Sequence, residues 1–177
     1  MDKRVGFGPR LGAFVIDGVV VCLLSFFLGG TLGAMLGLGA GAIAGAGDQA
    51  EGAAAAGALI GGMLGMMAGF YVFGFLYSLI EAFTGASPGK MVLKLKVGFA
   101  DGRQAPIGTY VTRWAVKNAG TLLGVLALVP GLGLLSTVAS IAGLVIFVGC
   151  FLVLGQNRQA LQDMAAKTAI FKTADLS

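Results

Sequence analysis

The sequence predicts an all-α fold, a polytopic transmembrane helix bundle of four spans arranged as two hairpins, with a short cytoplasmic strand and turn segment and an interfacial helix. Three observations predict it. Of 177 residues 57% are hydrophobic, 31 are glycine and only 11% are charged, whereas a soluble domain carries roughly 25% charge. All twelve cations fall in three clusters: Lys3, Arg4 and Arg10; Lys90, Lys94, Lys96, Arg103, Arg113 and Lys117; and Arg158, Lys167 and Lys172. Residues 11–89 hold no lysine or arginine, and residues 118–157 hold no charge of either sign. By the positive-inside rule the three clusters are cytoplasmic, so each apolar stretch between them crosses an even number of times. The chain reads as one membrane domain over 1–177, with N- and C-termini in the cytoplasm.

The first arm is expected over 10–46 and the second over 52–83, joined outside the membrane by the polar turn Gly47-Asp48-Gln49-Ala50-Glu51. At 1.5 Å per residue each arm is on the order of 50 Å long, beyond a hydrocarbon core of about 30 Å. Either both arms project outside or they break, with Gly29-Gly30 as the expected break. A signal peptide is the competing reading of the N-terminus, because Lys3 and Arg4 precede an apolar run; Asp17 inside that run argues against it. Residues 84–118 form the cytoplasmic loop and interfacial helix. There Met91–Val97 alternates apolar and basic residues as a strand does, and Asp101-Gly102 is a turn signal. Tyr110, Arg113, Trp114 and Lys117 recur at helical spacing, with the aromatics suited to the headgroup layer. Residues 119–155 form the second hairpin, turned at Pro130-Gly131-Leu132-Gly133, where Pro130 faces outward as Asp48 does. Residues 156–177 are a cytoplasmic tail.

Gly33, Gly37, Gly41 and Gly45 recur every four residues, and Gly57, Gly61, Gly65 and Gly69 repeat the pattern on the returning arm. Such spacing lines one ridge of a helix with residues small enough for backbones to touch in lipid. The ridges pack either against each other within the chain or between chains as a homo-oligomer.

Composition removes much chemistry. Without histidine, metal hydrolysis and Ser-His-Asp catalysis lack their usual parts, so no enzyme, metal site or cofactor is expected. Cys22 and Cys150 sit in apolar runs and read as small buried hydrophobes. Gly85-Ala86-Ser87-Pro88-Gly89-Lys90 fails as a phosphate loop, having three residues between its glycines and Met91 after the lysine. The expected partners are the bilayer and its anionic headgroups, the latter through Lys90, Lys94 and Lys96; no nucleic acid is expected. Asp17 lies seven residues beyond Arg10, about 10 Å deeper on nearly the same helix face. A charge there costs roughly 2.5 to 3.5 kcal/mol, so Asp17 needs a partner such as Arg10, Arg113 or a transported cation. Glu81 and Asp163 stand near the cytoplasmic face among these cations.

The segment from Arg10 to Asp17 resembles the first-helix signature of the RDD family of bacterial membrane proteins. Ser87-Pro88-Gly89-Lys90 with Leu93, Val97, Asp101 and Gly102 resembles its central loop, Arg113 its next arginine, and Arg158 to Thr168 its C-terminal segment. The resemblance implies an inner-membrane protein whose naming arginine and two aspartates are Arg10, Asp17 and Asp163. It also implies transport of unidentified ligands, with sodium/proton exchange in some members. The long glycine-rich arms depart from the pattern, as does Gln162, which stands where histidine is often found. Two functions follow: a transporter of a small ligand or cation around Asp17, with Arg10, Asp163, Glu81 and Arg113 as a charge network, or a non-transporting scaffold assembled through the glycine ridges.

Overall fold

The structure, a computed structural model, describes residues 3–45 and 49–176; Asp48, the predicted turn residue, lies outside them. In chain order it contains α1 (Phe7–Leu24), a π-helical segment (Ser25–Gly30), α2 (Thr31–Ala44), α3 (Ala50–Thr84), α4 (Pro88–Val92), β1 (Leu95–Phe99), α5 (Ile107–Lys117), α6 (Ala119–Leu126), α7 (Leu135–Gly149), a 3₁₀ segment (Cys150–Leu154), α8 (Leu161–Ala165), β2 (Thr168–Lys172) and a last 3₁₀ turn (Thr173–Asp175). Among the described residues three helical runs are long and apolar enough to cross a membrane: Phe7–Ala44, Ala50–Thr84 and Leu135–Leu154. The third expected span falls on α6, whose eight residues are far short of the about 20 that a crossing needs. Beyond Leu126 the chain tightens into turns, and Gly131 takes a left-handed φ of 90° just after Pro130, which cannot continue a helix.

The chain divides into two compact units, one of Ile16–Tyr77 and one of residues 3–15 with 78–176. In the first, the chain does not turn at Gly29-Gly30; the coil widens into the π segment and runs on into α2. Ser25, buried, donates its hydroxyl to the Val21 carbonyl at 2.7 Å, a back-bond that suits a local change of helical pitch. The arms meet backbone to backbone. A Cβ added at Gly29 would lie 2.5 Å from the Gly65 carbonyl oxygen, and at Gly33, Gly37 and Gly41 it would overlap the carbonyl oxygens of Gly61, Gly57 and Ala53. Reciprocally, a Cβ at Gly57, Gly61 or Gly65 would strike the carbonyl of Gly37, Gly33 or Gly29. Gly45 closes on Ala50, and Gly69 on Gly29, a ridge member absent from the predicted set. Large apolar side chains point away from this seam, Ile43 being 88% exposed and Leu36 76%. Cys22 and Cys150 are exposed on apolar helices, so their expected burial is corrected.

The second unit is organised by a small sheet. β1 and β2 pair antiparallel, with Leu95 opposite Lys172, Val97 opposite Ile170 and Phe99 opposite Thr168; the Val5 amide also donates to the Ile170 carbonyl at 2.8 Å. Val5, Ala13, Leu95, Val97, Ala105, Tyr110 and Ile170 form its core. The expected strand at Met91–Val97 starts later, because Pro88 at the first helical position nucleates α4, and Lys94 (φ 54°) reverses the chain before Leu95. β2 lies in what reads by sequence as a plain tail. Tyr110 is buried in the core, which corrects its expected place in the headgroup layer. Gly85, at φ 75°, stacks its backbone on the Tyr110 ring, where a Cβ would fall 2.5 Å from the ring carbon Cζ.

Candidate functional site

Two buried carboxylates gather four cations in the second unit. Asp163, fully buried at the start of α8, accepts from Arg10 at 2.5 Å on Oδ2 and from Arg113 Nε at 2.7 Å on Oδ1. The Ala160 amide donates to the same Oδ2 at 3.2 Å, a backbone contact that fixes the carboxylate at the helix start. Glu81, buried near the end of α3, accepts from Lys117 at 2.7 Å on Oε2, and from both Lys90 and Arg113 on Oε1. Arg113 therefore bridges the two acids. Arg10 completes its fork on the carbonyls of Arg158 (2.7 Å) and Val5 (3.1 Å). These contacts tie α1, α3, α4, α5 and α8 together at one place.

The electrostatics follow from two acids facing four cations. Burial alone would push the Asp163 carboxyl up, but the Arg113 and Arg10 guanidiniums outweigh it and hold the group below the ordinary carboxylate range. Burial works against the Arg113 charge as well; Asp163 and Glu81 more than offset it and raise that pKa. Lys90 goes the other way. Its burial, reinforced by repulsion from Arg113 and Lys117, prevails over the attraction of Glu81 and brings the ammonium to about 8.

The sequence model of the RDD family matches residues 4–167, which span the whole of this network. The chain belongs to the RDD family. No curated protein and no solved structure matches it.

Of the three residues that the family resemblance singles out, this RDD family membrane protein brings Arg10 and Asp163 into direct contact. Asp17 has a different neighbour: the Tyr77 hydroxyl donates to its Oδ1 at 2.9 Å. The Arg10 and Arg113 guanidiniums, proposed from sequence as its partners, bind Asp163 instead. Glu81, expected from sequence near the cytoplasmic face, is a buried hub. Lys90 is buried against it, which corrects its expected role as a headgroup contact. Lys94 is exposed and Lys96 half-buried, both beside Lys172 at a cavity. The part of Lys117 was missed, although its spacing of four from Arg113 placed both on one helix face. Gln162, at the histidine position, sends Nε2 toward the Cys150 sulfur at 3.8 Å, and its buried Oε1 has no hydrogen-bond partner among the described residues. No group of three or more metal-ligating side chains occurs among the described residues.

Proposed function

We propose that this RDD family membrane protein is a small, non-enzymatic secondary transporter of the bacterial inner membrane, exchanging a small cation for a proton through Asp17. The observation that carries the reading is a carboxylate within the first candidate span that accepts a phenol from the second. An acid at that depth is a functional candidate by default, and the Tyr77 hydroxyl orients it. In this reading the network of Arg10, Asp163, Arg113 and Glu81 holds the cytoplasmic end together, and the glycine ridges act as a zipper that keeps the arms in register. Both termini and the segment 84–118 are cytoplasmic, α5 runs along the interface, and residues 119–155 return the chain to the cytoplasmic side as the second hairpin.

The test is ion flux in proteoliposomes under an imposed sodium, potassium or pH gradient. Wild type exchanges a cation for protons, Asp17→Asn folds and loses exchange, and Tyr77→Phe retains exchange with a raised KM for the cation. A folded Asp17→Asn protein with wild-type exchange removes Asp17 from the mechanism. A wild type without flux for any monovalent cation selects the assembly reading, in which close glycine packing serves a scaffold that assembles as a homo-oligomer.

A further inference from the structure

A cavity of about 660 Å³ opens at the end of α3, where Thr84 closes the second candidate span. It is lined by the apolar Ala86, Met91 and Leu95 together with three lysines, Lys94, Lys96 and Lys172. The carboxylates of this unit among the described residues are already engaged. Glu81 and Asp163 belong to the buried network, Asp101 binds Arg103 at 2.7 Å, and Asp175 faces Lys3 at 3.8 Å. Among the described residues none of the three cavity lysines makes an ion pair, in contrast to Lys90 and Lys117. The wall is also built. Lys94 holds a left-handed φ of 54°, and its carbonyl accepts both the Thr173 amide at 2.8 Å and the Thr173 hydroxyl at 3.1 Å. The pairing of Leu95 with Lys172 brings the third lysine beside Leu95 on the same face of the sheet. The cavity stands at one end of a candidate span, Ala50–Thr84, that is longer than the hydrocarbon core requires.

We propose that this cavity binds one anionic phospholipid, its phosphate on Lys94, Lys96 and Lys172 and the upper part of an acyl chain against Met91, Ala86 and Leu95. The inference is independent of ion exchange and needs only that α3 crosses the membrane. Exposed lysines at a surface attract anionic lipid at about 1 kcal/mol each. Three acting on one headgroup correspond to a loss on the order of 100-fold when all are neutralised.

The experiment titrates the full chain, delipidated in a neutral detergent, with phosphatidylglycerol and with phosphatidylcholine, counting bound lipids by native mass spectrometry. Phosphatidylglycerol is retained over phosphatidylcholine, and the variant Lys94→Gln/Lys96→Gln/Lys172→Gln loses it on the order of 100-fold. A variant of equal charge, Lys3→Gln/Arg103→Gln/Lys167→Gln, retains it. Met91→Gln weakens binding, while glycerophosphoglycerol and inorganic phosphate fail to displace the lipid. Should the triple variant not fold, Lys172→Gln on the exposed end of β2 carries the same test at about fivefold. Equal losses in the two triple variants, or equal retention of the two lipids, overturn the site in favour of diffuse attraction. Full displacement by the chain-free headgroup or by phosphate overturns the lipid in favour of a soluble anion.

Discussion

Replacing Asp163 with asparagine removes the charge at the centre of the network while keeping its shape. Asp163 has no exposed surface, and its oxygens take Arg10 at 2.5 Å and Arg113 at 2.7 Å. Each charge-assisted bond is worth roughly 1.5–3 kcal/mol, and breaking a buried ion pair from one side costs about 3–5 kcal/mol because the other charge stays buried. Asparagine keeps one acceptor but turns an amide NH₂ toward a guanidinium, so a loss of about 3 kcal/mol is expected. For a chain of this size that lowers Tm by roughly 6–12 °C. Thermal unfolding of the purified protein at fixed detergent concentration measures it. Asp17→Asn is the control: asparagine can still accept from Tyr77, and the expected loss is about 1 kcal/mol. Arg10→Gln in the Asp163→Asn background removes one stranded cation, so the double variant is more stable than the sum of the singles by about 1 kcal/mol or more. If Asp163→Asn melts within about 2 °C of wild type, or the two changes simply add, the network does not hold these segments together.

In the glycine seam, a Cβ at Gly37 meets backbone of the opposite arm while one at Gly39 meets nothing within 4 Å. Gly37→Ala is therefore expected to destabilise by about 1–3 kcal/mol and Gly39→Ala to stabilise by roughly 0.5–1 kcal/mol through helix propensity; equal melting of the two variants refutes the seam. Because the Lys90 ammonium sits at about 8 in the folded chain, below its ordinary 10.5, the unfolded chain binds more protons between those values and stability rises with pH across that window. Lys90→Gln removes this rise, and a pH profile of Tm identical to wild type from pH 8 to 10.5 refutes it. The depressed Asp163 carboxyl works in the acid range: its contribution is present above the unfolded value near 4 and is lost as pH falls through the lower folded value, a loss that Asp163→Asn abolishes. Finally, single cysteines placed at Glu51 or Pro130 in a Cys22→Ser/Cys150→Ser chain label from outside the cell, whereas one at Gln104 labels only from the cytoplasm; labelling of Glu51 from the cytoplasm alone inverts the topology.

Local signals carried far in this chain. Hydropathy and the cation-free stretches located three runs able to span a membrane, because the bilayer selects on local apolarity and length alone. The four-residue glycine spacing also marked the seam, since that period is itself a helix face. The eight-residue α6 escaped because two short apolar helices and a turn have the same composition as two full spans. β2 escaped because a single five-residue strand carries almost no period of its own and needed β1 to pair with. Arg10, Glu81, Arg113 and Asp163 were legible as candidates, but their partners were not. Arg10 and Asp163 are 153 residues apart, and Arg113 stands 32 from Glu81 and 50 from Asp163. Nothing in the spacing of such positions says which carboxylate each cation reaches, that Lys90 turns inward, or that Asp17 meets Tyr77. Ion pairing depends on distance and burial, and only the tertiary structure sets those.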